Sequence, residues 1–114
     1  MNDYLFCKIA AGVIPSSKVY EDEDVLAFRD IAPQVPVHVL VIPKKHVSGW
    51  YDAQEESDAL LAKLMRTASQ VAKMENIVDS GFRVVSNCGA DAQQTVKHLP
   101  LHVLGGKTMA GEMA

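Results

Sequence analysis

The sequence predicts an α+β domain: a five-stranded, mainly antiparallel sheet with one long helix against it and a short helix at the N-terminus. Three observations predict it. Five short segments rich in β-branched or aromatic residues are separated by turn signals. One broad apolar stripe at helical spacing occupies the middle of the chain. The helices and strands do not alternate strictly, as a parallel sheet would require. With 114 residues the chain is the size of one domain, with a core over about residues 3–107 and a short C-terminal tail.

Residues 3–11 read as the first helix, because Leu5, Phe6, Ile9 and Ala10 recur at helical spacing and Gly12 is a natural stop. After a turn at Pro15, Ser16 and Ser17, residues 18–21 and 25–29 read as two strands joined by the acidic turn Glu21, Asp22, Glu23, Asp24. Pro33 and Pro36 make the next segment an irregular loop. Residues 37–42 are apolar except for His38, which predicts a central strand buried on both faces and ended by Pro43. The long helix is expected over about residues 54–74, with Asp52 as cap and Glu55 completing a capping box. Its stripe is Leu60, Leu61, Leu64, Met65, Ala68, Val71 and Ala72. Trp50 and Tyr51 are expected to cover its start. Residues 82–86 read as the fourth strand, 87–94 as a polar loop, and 95–104 as a fifth extended segment closed by Gly105 and Gly106.

Hydrophobic residues make up 48% and charged residues 22%, enough apolar surface to exclude disorder over most of the chain. The net charge of −3 gives no field to attract a nucleic-acid polymer or an anionic membrane. A small anion needs only local geometry, so it is not excluded. No apolar run approaches the length of a membrane span, and no secretory signal is expected at the N-terminus. Cys7 and Cys88 form no CxxC pair, so a reducing, cytoplasmic setting is expected.

Chemistry concentrates in the last segment. If residues 95–104 form one strand, His98, Pro100 and His102 share a face and Leu99, Leu101 and Val103 face the core. Two imidazoles on one face can bind phosphate oxygens, hold a metal or exchange protons near neutral pH. They can equally be surface or structural histidines.

The ordered blocks carry more. Phe6, Lys8 and Ile9 come near the start, followed by Leu26-Ala27-Phe28-Arg29-Asp30-Ile31-Ala32-Pro33. Then come His38-Val39-Leu40-Val41-Ile42-Pro43-Lys44-Lys45-His46, Asn87, and His98-Leu99-Pro100-Leu101-His102-Val103-Leu104-Gly105-Gly106. Together they resemble the histidine triad (HIT) family, in its nucleotide-binding branch, over roughly residues 3–107. The resemblance implies the HIT-like fold, a homodimer with continuous sheets, and a purine nucleoside monophosphate such as AMP or GMP as partner. It implies hydrolase or phosphoramidase chemistry through the pattern His-φ-His-φ-His-φ-φ. The middle His attacks the α-phosphorus, and water then cleaves the nucleotidyl-histidine. On this chain His102 takes the phosphate-binding role and His98 the organising one. Phe28, Asp30 and Ile31, with Leu5 and Phe6, form the nucleoside site, with the Asp30 carboxylate on the ribose. Asn87, Gln94 and Thr95 match the phosphate region, and His38 a buried histidine beside the motif.

The middle His position is Pro100, which has no nucleophilic atom. Catalysis by the family route is therefore expected to be impaired. Ala92 and Gln93 stand where the family commonly has glycines. Two other readings remain: an active hydrolase that recruits His98 or His102, and a structural or regulatory dimer. No cofactor is the default expectation. A zinc would use Cys7, His46 and His98, with Tyr4 at the position of a second cysteine and a poor ligand there.

Overall fold

A computed structural model describes residues 5–12, 15–94 and 96–111 of the chain. The sequence-derived roles of Tyr4 and Thr95, and of the Leu5 side chain, lie outside the described residues. The order of elements is α1 (Leu5–Ala10), β1 (Lys18–Glu21), β2 (Val25–Arg29), β3 (Val37–Pro43), a 3-10 turn (Asp52–Glu55), α2 (Asp58–Met74), β4 (Phe82–Val85) and β5 (Leu101–Gly105). The strands form one sheet in the order β1-β2-β3-β5-β4, with every neighbouring pair antiparallel. The α+β architecture is therefore the one expected.

β3 lies at the centre, and both of its faces are covered. On one face Val25, Ala27, Val39, Val41, Leu101 and Val103 pack against Leu64, Ala68, Val71 and Ala72 of α2. On the other, Leu26, Phe28, Leu40 and Ile42 pack against Phe6, Ile9 and Ala10 of α1. A strand sandwiched in this way needs apolar side chains at successive positions, which is why residues 37–43 do not alternate. α1 ends where Gly12 takes φ 78° and returns its N–H to the Ile9 carbonyl at 3.0 Å.

Three expectations are corrected. The long helix begins later than residue 54: Asp52–Glu55 is a separate 3-10 turn, and α2 starts at Asp58. Its cap is Ser57, whose hydroxyl accepts the Leu60 N–H, and Asp52 instead takes a hydrogen bond from Ser48. Met65 is exposed, and Thr67 takes the buried position by donating its hydroxyl to the Lys63 carbonyl at 2.7 Å. The fifth strand begins at Leu101, not at residue 95. Proline has no N–H to give a ladder, so the strand starts directly after Pro100, and residues 96–98 bend. Trp50 and Tyr51 are both largely exposed. Among the described residues no helix is long and apolar enough to cross a membrane.

Candidate nucleotide site

β5 delivers His102 to the α1 face of the sheet, opposite Leu40 of β3. Two residues back along β3 is His38, which is buried. Its Nε2 lies 2.9 Å from His102 Nδ1 and 3.5 Å from Asp30 Oδ2. Asp30 follows directly on β2, where its Oδ1 accepts the Ala32 N–H at 2.8 Å. The carboxylate is thus held by an Asx-type turn and aimed at the imidazole pair. Burial pushes both imidazoles below the ordinary histidine pKa; Asp30 opposes this at each ring, and at His102 the neighbouring His38 adds to it.

His98 is not on the strand face with His102. It is fully buried in a second cluster, where its Nε2–H donates to the Pro43 carbonyl at 2.7 Å. Its Nδ1 lies 3.2 Å from Cys7 Sγ, and His46 Nδ1 lies 3.0 Å from the same sulfur. Burial is the main cause that lowers the His98 pKa; the Pro43 bond raises it and His46 lowers it further. The expected single face of imidazoles is therefore split in two, because Pro100 breaks the strand between them. Phe6 bridges the parts, edge-on to Phe28 at 5.7 Å and to His98 at 6.1 Å. Phe6 and Phe28 are both buried, whereas Ile31 beside Asp30 is fully exposed.

Asn87 sits just past β4, half-buried. Gln94 is a cross-link of the loop: its Oε1 accepts the Gly89 N–H at 2.9 Å, and its Nε2 donates to the carbonyls of Ser48 at 2.7 Å and Val96 at 3.1 Å. Between them Gln93 adopts φ 64°, a left-handed conformation that costs an L residue about 1–2 kcal/mol. The larger conformational freedom that glycine loses on folding offsets part of this. Gln93→Gly is accordingly expected to stabilise the protein by about 1 kcal/mol in chemical denaturation. Ala92 has no positive φ, so Ala92→Gly should give no gain. Equal effects at the two positions would refute the strain argument.

Residues 11–109 match the HIT domain. The chain belongs to the HIT family. The HIT chain is 48% identical over 109 residues to the "14 kDa zinc-binding protein" of Brassica juncea, covering 94% of this chain and 96% of that protein. It is 46% identical over 107 residues to "Adenylylsulfatase HINT1" of Arabidopsis thaliana, covering 92% and 72%. Among solved structures, a HIT family hydrolase from Legionella pneumophila Philadelphia 1 superposes with TM-score 0.91 at 44% identity, covering 95% of this chain and 96% of that one. A histidine triad protein from Clostridium difficile does so with TM-score 0.89 at 44% identity, covering 96% of each. The fold is therefore the HIT fold, and hydrolase-like nucleotide chemistry is the general kind its relatives represent.

From the sequence, His38 is expected only as a buried histidine near the motif. The bond from the Gln34 amide to its ring, the Pro43 carbonyl under His98, and the Gln94 cross-link to Ser48 were not foreseen. A lone polar residue in an otherwise apolar central strand was the available signal for His38. No local pattern marked the other three.

Proposed function

We propose that this HIT protein binds a purine nucleoside monophosphate and that Pro100 impairs its hydrolytic chemistry. The observation that carries the reading is the Asp30, His38, His102 cluster, buried at its base and reached from a half-exposed His102. The Asp30 carboxylate has lone pairs left for ribose hydroxyls, and His102 is placed for phosphate oxygens. Phe28 and Phe6 would supply the apolar wall and exposed Ile31 would flank the base, with Asn87 and Gln94 toward the phosphate side. A relative named adenylylsulfatase supports an adenylyl group as the recognised part. Pro100, two residues before His102, is buried and offers no atom that can attack phosphorus.

AMP at 100 times its Kd should add about 2.7 kcal/mol to stability, read as a raised Tm. Asp30→Ala should weaken AMP binding about tenfold, the value of one hydrogen bond to a charged group. Unchanged AMP affinity in that variant would remove Asp30 from the site, and no Tm response to AMP or GMP would end the nucleotide reading.

The donors of Cys7, His46 and His98 fit a zinc ion. Their ligand atoms lie within 4.8 Å of one another. The Pro43 carbonyl takes the His98 Nε2–H, which leaves the Nδ1 lone pair toward the sulfur, as metal ligation requires. Zinc there would tie α1 to the segment before Pro100, a structural service. A relative bearing the name zinc-binding protein agrees with this.

A homodimer fits the remaining surface. β4 is an edge strand, and its Phe82 and Val84 are exposed beside Met65, Leu61 and Trp50 in an apolar groove. Val84→Asp should convert a dimer to monomers in sedimentation velocity; an unaltered dimer would place the interface elsewhere. Two unpaired thiols and the absence of a spanning helix among the described residues suit a cytoplasmic setting.

A further inference from the structure

We infer that Cys7, His46 and His98 make a three-ligand zinc site whose fourth position is left to an anion from solution, a small thiolate above all. The inference rests on the zinc reading and adds the ligand that completes the ion. Three separate segments supply the donors: Cys7 from α1, His46 from the loop after β3, and His98 from the segment that bends before Pro100. Cys7 Sγ lies 3.0 Å from His46 Nδ1 and 3.2 Å from His98 Nδ1. The Pro43 carbonyl accepts the His98 Nε2–H at 2.7 Å, so the Nδ1 lone pair is the one turned to the sulfur. Among the described residues no further Cys, His, Asp or Glu atom joins this group within 4.8 Å. Cys88, the other thiol, is exposed in the loop after β4 and outside the group.

Zinc in proteins is most often four-coordinate, and a site with three protein donors keeps one position open. The sequence has Tyr4 three residues before Cys7. A phenol titrates near about pH 10, so at neutral pH it offers zinc no anionic oxygen. One thiolate and two neutral imidazoles leave the dication with residual positive charge, which favours an anion as the completing ligand. Sulfur ranks first among anions, because zinc accepts soft thiolates and a thiol is deprotonated on coordination. Access is one-sided. His98 is fully buried, with the Phe6 ring 6.1 Å and the His46 ring 5.1 Å from its own. Cys7 is half-buried and His46 is exposed. A ligand from solution therefore arrives on the side of His46 and Cys7. This position is separate from the Asp30, His38, His102 cluster, and its ligand is a small thiol rather than a nucleotide.

Cobalt(II) added to the chelated full chain is the probe, since its absorption reports thiolate ligands and coordination. The expected result is a thiolate-to-cobalt charge-transfer band that disappears in Cys7→Ser. Azide, and separately 2-mercaptoethanol, should shift the visible cobalt bands saturably, and the thiol should add a second charge-transfer component while that of Cys7 remains. Tyr4→Cys should supply the fourth ligand from the chain. It should add the second thiolate component by itself, abolish both responses, and tighten cobalt binding by about tenfold to a hundredfold, the worth of even a supporting residue in a metal site. Tyr4→Phe should respond as the wild type does. A wild-type cobalt band indifferent to azide and thiol overturns the inference. So does a response that emerges only in Tyr4→Phe, which would make the phenol the fourth ligand. A thiol that strips the cobalt, with loss of the Cys7 band, overturns the preference for sulfur. Absence of any thiolate band in the wild type ends the zinc reading and the inference with it, whereas a band without ligand response leaves zinc standing and removes the inference alone. The wild-type titrations decide by themselves if a variant does not fold.

Discussion

Pro100→His is expected to raise the rate of adenosine phosphoramidate hydrolysis by about three powers of ten or more, the scale on which a covalent nucleophile matters. The surroundings are already prepared. Position 100 is buried directly before β5, one residue from Leu101 in the core and two from His102. In the role proposed for it, His102 would bind the oxygens of the phosphorus centre and stabilise charge there without supplying the attacking lone pair. What is missing is a lone pair aimed at phosphorus, and an imidazole at position 100 supplies one. The substitution also returns a backbone N–H to the start of β5, where proline has none to pair. Pro100→Ala isolates that second effect, since it restores the N–H without a nucleophile, and it should gain no turnover. A folded, AMP-binding Pro100→His without turnover would shift the blame to the left-handed Gln93 and the loop it strains. The double variant with Gln93→Gly then decides between the loop and a misassigned site.

The fold was legible because burial is written in periodicity. Residues 37–43 are apolar at nearly every position, and only a strand covered on both faces calls for that pattern. The stripe of α2 marked its inner face, although Met65 lies on the open groove and Thr67 replaces it inside. The helix start was misplaced for a local reason. Asp52 and Ser57 are both good caps, and the choice between them rests on Ser48, whose hydrogen bond holds Asp52 in the preceding turn. Pattern also failed at residues 95–104. Alternation assumes a continuous strand, but Pro100 cannot join a ladder, so His98 turns to the Pro43 carbonyl and Cys7. The resemblance names Cys7, His46 and His98 apart from Asp30 and His102, whereas strand alternation alone puts His98 and His102 on one face; the observed separation of the two histidines is not written in that alternation. It depends on contacts 39, 64 and 91 residues apart in sequence, which no local spacing encodes.

The second large effect is in stability against pH. His38 and His102 are both held below the ordinary histidine pKa, burial being the first cause in each. The unfolded chain takes up protons as the pH falls through about 6.5, while the folded pair does not. Stability is therefore full above that pH and is lost as the pH falls toward the folded values, by at most about 1.4 kcal/mol per pH unit for each ring. The hydrogen-bond chain shows why the folded pair resists. His38 Nδ1 is occupied by the Gln34 amide and His102 Nδ1 by the His38 Nε2–H, so a further proton has no nitrogen to occupy without breaking one of those bonds. Asp30 favours the charged forms but lies farther from His38 Nε2 than His102 does. Acid-sensitive carboxylates act lower on the scale. Hydrogen bonds from Lys18 and Lys44 hold Glu21 down to about 2. At Asp22 burial pushes upward, but the Asp24 amide, the Tyr20 hydroxyl and the Val25 amide outweigh it, and it too falls to about 2. Urea denaturation of chelated protein between pH 7.5 and 5 should show a falling midpoint, and His38→Gln should flatten that slope by up to one proton. A midpoint indifferent to pH over that range would mean that the folded protein protonates the pair as readily as the unfolded chain does, contrary to the bond directions at Gln34 and His38.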